Sequence, residues 1–78
     1  MTYTDQQFGN ELLAELDQGY DPLRLARWAD RVFFMTHSAE CSPAVREALI
    51  DIFTMQEGEE FYIPEMELRK RAQEFACS

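Results

Sequence analysis

Asp21-Pro22-Leu23-Arg24-Leu25-Ala26-Arg27-Trp28-Ala29-Asp30-Arg31-Val32-Phe33-Phe34-Met35 is the stretch that decides the fold class. Asp21 has the side chain of a helix N-cap, and Pro22 suits the first helical position because its missing N–H would have no partner there. Arg24, Arg27 and Arg31 recur at spacings of three and four and define a solvated face. Leu25, Ala29 and Val32, with Trp28 and Phe33 beside them, define the opposite, apolar one. Val32 to Met35 are apolar almost all round, which puts the expected centre of the core in the C-terminal half of this helix. His37 falls in the last expected turn, where a positive charge suits the helix dipole. The stretch reads as a helix over 22–37.

The same signals recur on either side. Thr4-Asp5-Gln6-Gln7 has the form of a capping box, in which each of the two end residues satisfies the amide of the other. Phe8, Leu12, Leu13 and Leu16 follow on one helical face, and Gly19 can supply the left-handed residue that closes a helix over 5–18. Ser42-Pro43 repeats the cap-plus-proline start and opens a helix over 43–56 with Val45, Ala48, Leu49, Ile52 and Phe53 inward; Gly58 ends it. Pro64 disfavours helix at Ile63, so residues 59–63 read as a loop or short extended piece. Pro64 also starts a last helix, 64–76, with Leu68, Ala72 and Phe75 inward. Glu65–Arg69 and Glu67–Arg71 are correctly ordered i,i+4 pairs on it, worth a few tenths of a kcal/mol each. The expected fold is all-α: a small four-helix bundle with short loops and no sheet, spanning residues 1–78 as one domain. Its core should contain Leu12, Leu16, Trp28, Val32, Phe33, Leu49, Ile52, Phe53, Leu68 and Phe75.

Composition narrows the function classes. Fifteen Asp and Glu stand against seven Lys and Arg, a net charge of −8 on 78 residues. That balance repels nucleic acid and anionic membrane and attracts basic surfaces. At 46% hydrophobic and 13% aromatic the chain is too apolar for a disordered acidic tail. So short a chain is expected to be either a marginally stable monomer or a homodimer that shares apolar surface. Its N-terminal residues lack the basic start and apolar run of a signal peptide, and no apolar stretch approaches the length of a membrane span. Cys41 and Cys77 are too few for a disulfide scaffold and suit a reduced pair. The expected location is the cytoplasm, with no membrane partner.

No catalytic or cofactor motif is present. His37, Glu40 and Cys41 lie within five residues, yet a zinc site ordinarily needs four ligands and there is one His and no closely spaced Cys pair. A thiol mechanism at Cys41 with His37 as base would need a lowered thiol pKa, which the neighbouring Glu40 opposes. The expectation is no metal, no cofactor and no enzymatic activity. The arginines at 24, 27 and 31 read as a helix face that pairs with Asp30 and with acids on neighbouring helices, so no direct nucleic-acid contact is expected.

The acidic segment carries the functional expectation. From Glu47 to Glu67 there are seven carboxylates and no Lys or Arg, and Phe61-Tyr62-Ile63 lies among them. Carboxylates around an aromatic pair suit a docking surface for a basic protein: charge steers the encounter and the rings supply buried contact area. The expected contact residues are Glu57, Glu59, Glu60, Phe61, Tyr62, Glu65 and Glu67, with Tyr62 the anchor and Phe61 tucked into the bundle. In size, acidity and helix content the chain resembles small acidic inhibitors, such as the immunity proteins that neutralise nuclease toxins. That resemblance is one of composition and carries over no residues. It implies a protein that masks the cationic surface of a partner, for instance a nucleic-acid-processing enzyme, or mimics the charge of DNA. The alternative is an assembly protein, a homodimer whose apolar seam on the second helix includes Phe34 and Met35.

Overall fold

A computed structural model describes residues 3–36 and 41–77. Four helices, α1 (Asp5–Asp17), α2 (Pro22–Thr36), α3 (Pro43–Phe53) and α4 (Glu65–Ala76), enclose one hydrophobic core, and no strand occurs among the described residues. The helix starts are those the caps imply. Thr4 Oγ1 accepts from the Gln7 amide at 3.0 Å while Gln7 Oε1 accepts from the Thr4 amide at 2.9 Å, closing the capping box. Asp21 Oδ1 accepts from the amides of Leu23 and Arg24, and Ser42 Oγ from that of Val45. Gly19 lies at a φ of 119° just beyond α1, a conformation that a Cβ would penalise. The expected end of α2 at His37 lies outside the described residues.

Packing joins the first helix to the last and the two middle helices to each other: α1 lies along α4, and α2 along α3. Gly9 is the reason α1 and α4 approach so closely: a Cβ there would sit 2.3 Å from the Ala76 nitrogen and 2.6 Å from the Ala72 carbonyl oxygen. Phe8, fully buried, ties three helices together. Its ring stacks on Trp28 at 6.0 Å and meets Phe75 edge-on at 4.9 Å, geometries that aromatic quadrupoles favour.

Three expectations about the core need correction. Phe33, Phe53 and Phe75 pack against the core but are only partly buried. Phe33 and Phe53 meet edge-on at 5.7 Å on its margin. The deepest part of α2 is not its C-terminal half but Leu25, Ala26, Trp28 and Ala29, while Phe34 and Met35 are exposed. α3 also loses its regular hydrogen bonding earlier than expected, and Thr54–Glu57 continues as a 3₁₀ turn. The tighter winding sends Met55 fully into the core, which an apolar count at helical spacing had left out.

The arginines close the end of α1, which has no basic residue in its own last turn. Arg24 is not on a solvated face. Its guanidinium reaches back to the Glu15 carboxylate (2.9 Å), the Glu15 carbonyl (2.8 Å) and the Gly19 carbonyl (2.7 Å). Arg69 arrives from α4, donating to the Asp17 carboxylate at 3.1 Å and the Leu16 carbonyl at 3.4 Å. The carbonyls of Glu15 and Leu16, which also accept from the Gln18 and Gly19 amides, are thus met at the negative end of the helix dipole by two cations from elsewhere in the chain.

Candidate functional site

The acidic segment is held in place by one buried residue. After the 3₁₀ turn at Thr54–Glu57, Gly58 is extended, and a second 3₁₀ turn, Glu59–Phe61, is closed by the Phe61 amide on the Gly58 carbonyl and the Tyr62 amide on the Glu59 carbonyl, both at 3.0 Å. This turn stands where the sequence suggests a loop or an extended piece. Tyr62 is extended, and Pro64, expected as the first residue of the last helix, is instead the N-cap of α4 with its backbone still extended at a ψ of 147°. Ile63 is buried; its amide donates to Met55 Sδ at 3.3 Å and its carbonyl accepts from the Tyr20 hydroxyl. Burial, with the neighbouring Tyr62 and Glu65 adding to it, pushes the Tyr20 hydroxyl above its ordinary pKa, so it holds its proton as a donor.

Anchoring at Ile63 leaves the two preceding rings outside. Phe61 is 46% exposed and Tyr62 37% exposed. Phe61 was expected to tuck into the bundle; Ile63 does so instead, because the 3₁₀ turn at 59–61 winds Phe61 away and the extended backbone after it reaches inward at 63. Met66, on the first turn of α4, is 83% exposed. Sequence reading missed it, although its position outside the Leu68–Ala72 stripe was a usable signal.

The seven expected contact residues fall into two groups. Glu65 pairs with Arg69 at 3.2 Å, and Glu67 lies 3.9 Å from Arg71, which also pairs with Asp51 at 3.3 Å. Those two glutamates are engaged in the fold. Glu57, Glu59 and Glu60 are exposed and form no ion pair among the described residues. Three unneutralised carboxylates and two exposed rings therefore share one short, pinned segment.

A second group of acids lies around a groove. This groove, of about 430 Å³, is lined by Asp5, Ala44, Glu47, Ala48, Asp51, Arg71, Glu74 and Phe75. It draws on three helices, which is why the sequence did not reveal it. Arg71 spans it to Asp51, and its acids lie on helix surfaces without a nucleophile among them. Cys41 is half-buried against the core, whereas His37 and Glu40 lie outside the described residues. Among the described residues no three His, Cys, Asp or Glu side chains gather as a metal site would require. Nor is any described helix long and apolar enough to cross a membrane. Comparison with known proteins finds no matching family model, no matching curated protein and no matching solved structure.

Proposed function

We propose that this chain is a small binding module of the inhibitor or immunity type, which masks a basic surface of a protein partner. The contact is made by Glu57, Glu59, Glu60, Phe61 and Tyr62. The observation that carries this reading is the coincidence of unpaired carboxylates and exposed rings on a segment fixed to the core by Ile63. Charges without partners in the fold lose no intramolecular pair when they meet Arg or Lys. Rings held in place lose little freedom on burial. Glu65 and Glu67 are secondary, since a partner would have to compete with Arg69 and Arg71 for them.

The test is binding kinetics against a partner recovered by pull-down, at low and high salt. Glu59→Lys with Glu60→Lys should slow association and flatten its salt dependence, because exposed charges act over about 10 Å at 0.1 M. Tyr62→Ala should speed dissociation, costing about 2 kcal/mol if the ring is an anchor. An affinity indifferent to salt and to all three residues would refute the reading.

One observation favours a second reading, self-assembly through α2. Phe34 and Met35, large apolar side chains adjacent on this helix, are 80% and 71% exposed.

A further inference from the structure

The outward face of α2 carries more than two exposed apolar residues. At about 100° per residue, Leu23, Arg27, Asp30 and Phe34 fall within about 60° of one another, a straight stripe along the helix. All four are exposed, while Leu25, Trp28, Ala29 and Val32 on the opposite side are buried. Arg27 and Asp30 enter no ion pair among the described residues. Arg31, also exposed, and Met35 lie further round, about 40° and 80° beyond Arg27, and flank the stripe rather than belonging to it.

The order along this stripe is apolar, basic, acidic, apolar, and it reads as its own complement when reversed. Turning a second α2 antiparallel about a two-fold axis midway between Trp28 and Ala29 sets Leu23 opposite Phe34 and Arg27 opposite Asp30. Each pairing occurs twice by symmetry. The apolar contacts are about 16 Å apart along the helix, with both ion pairs between them. An isologous interface demands this kind of self-complementarity: one surface that supplies both halves of every contact.

Charge also selects α2 among the possible contact faces. Two chains of net charge −8 repel one another, but α2 contains three arginines and one aspartate. That is the most basic balance of the four helices, so two copies repel least there.

We propose that this face is a docking surface for a second copy of the chain, through an antiparallel, two-fold pairing of α2 in the register Leu23–Phe34 and Arg27–Asp30. The proposal rests on the self-assembly reading and adds its register and its charge code.

Sedimentation analysis of the full chain over a concentration series up to about 1 mM tests both levels. The wild type should show a monomer–dimer equilibrium, and Phe34→Glu should weaken it at least about tenfold. Arg27→Asp alone and Asp30→Arg alone should each dissociate the dimer, because like charges then face each other. The double variant, Arg27→Asp with Asp30→Arg, should dimerise again. An equimolar mixture of the two single variants should form a heterodimer, since each then supplies the charge the other lacks. All four positions are exposed, and circular dichroism on each variant confirms that folding is intact. A wild type that stays monomeric overturns the self-assembly reading and the register together. A dimer lost in Phe34→Glu but indifferent to the charge variants, or not restored by the double exchange, overturns the register and leaves the apolar seam standing.

Discussion

At Gly9 the separation of two helices is set by the absence of a single methyl group. Its missing Cβ would lie 2.3 Å from the Ala76 nitrogen and 2.9 Å from the Ala76 Cα, both backbone atoms that cannot swing aside. Gly9→Ala normally improves helix propensity by somewhat under 1 kcal/mol. Here overpacking, typically 1–3 kcal/mol, should prevail, and urea unfolding should show a net loss of stability. The tyrosines make a prediction about pH. Tyr3, half-buried and donating to Glu11 at 2.9 Å, is held above its ordinary pKa first by burial and then by that carboxylate; burial acts likewise on Tyr20. The native state therefore keeps protons that the unfolded chain releases above about pH 10. This stabilising contribution is intact below that pH and declines as pH rises toward the folded values. Alkaline unfolding followed by circular dichroism should show that decline, and Tyr3→Phe should flatten it.

Among the elements, the short segment from Met55 to Pro64 decides what surface is displayed. Ile63 is its only buried residue after Gly58. Ile63→Ala should cost about 2–5 kcal/mol. The same substitution should raise amide exchange at residues 59–63 before global unfolding, since the side chain that seats the turn is gone. The end of α1 illustrates a different balance. Arg24 has two of its three bonds on backbone carbonyls at the end of α1, where the helix dipole favours a cation, so it is more than a surface ion pair. Arg24→Ala should cost about 1–2 kcal/mol in urea unfolding and depend weakly on salt. Arg71→Ala removes only exposed carboxylate pairs and should cost under about 1 kcal/mol, with a clear salt dependence.

At the scale of the whole molecule, the two association modes differ in sign. Binding of a basic partner by a chain of net charge −8 should weaken as salt rises. Pairing of two such chains through α2 should instead be favoured as salt screens their overall repulsion. Titrating salt in both assays, with the same preparation, separates the two interactions. Loss of both together on adding salt would contradict this division.

Much of this architecture was legible from local chemistry. Thr4, Asp21, Ser42 and Gly19 mark helix ends through bonds made within three residues, and the stripes Leu12–Leu16, Val45–Ala48–Leu49–Ile52 and Leu68–Ala72 follow from helical spacing alone. The acidity and aromatic content of residues 57–67 were equally plain, because composition needs no contacts. Contacts across the chain decided the rest. That α1 runs along α4 depends on Gly9 meeting Ala72 and Ala76, residues more than sixty positions away. Whether a glutamate is available to a partner depends on which arginine reaches it: Arg69 and Arg71 reach Glu65 and Glu67, whereas none reaches Glu57, Glu59 or Glu60 among the described residues. Which of Phe61, Tyr62 and Ile63 enters the core depends on the turn before them and on Met55 and Tyr20 receiving the backbone of Ile63. Periodicity and caps are properties of neighbours along the chain and fix the helices. Burial and charge pairing are properties of neighbours in space, and they fix the surface.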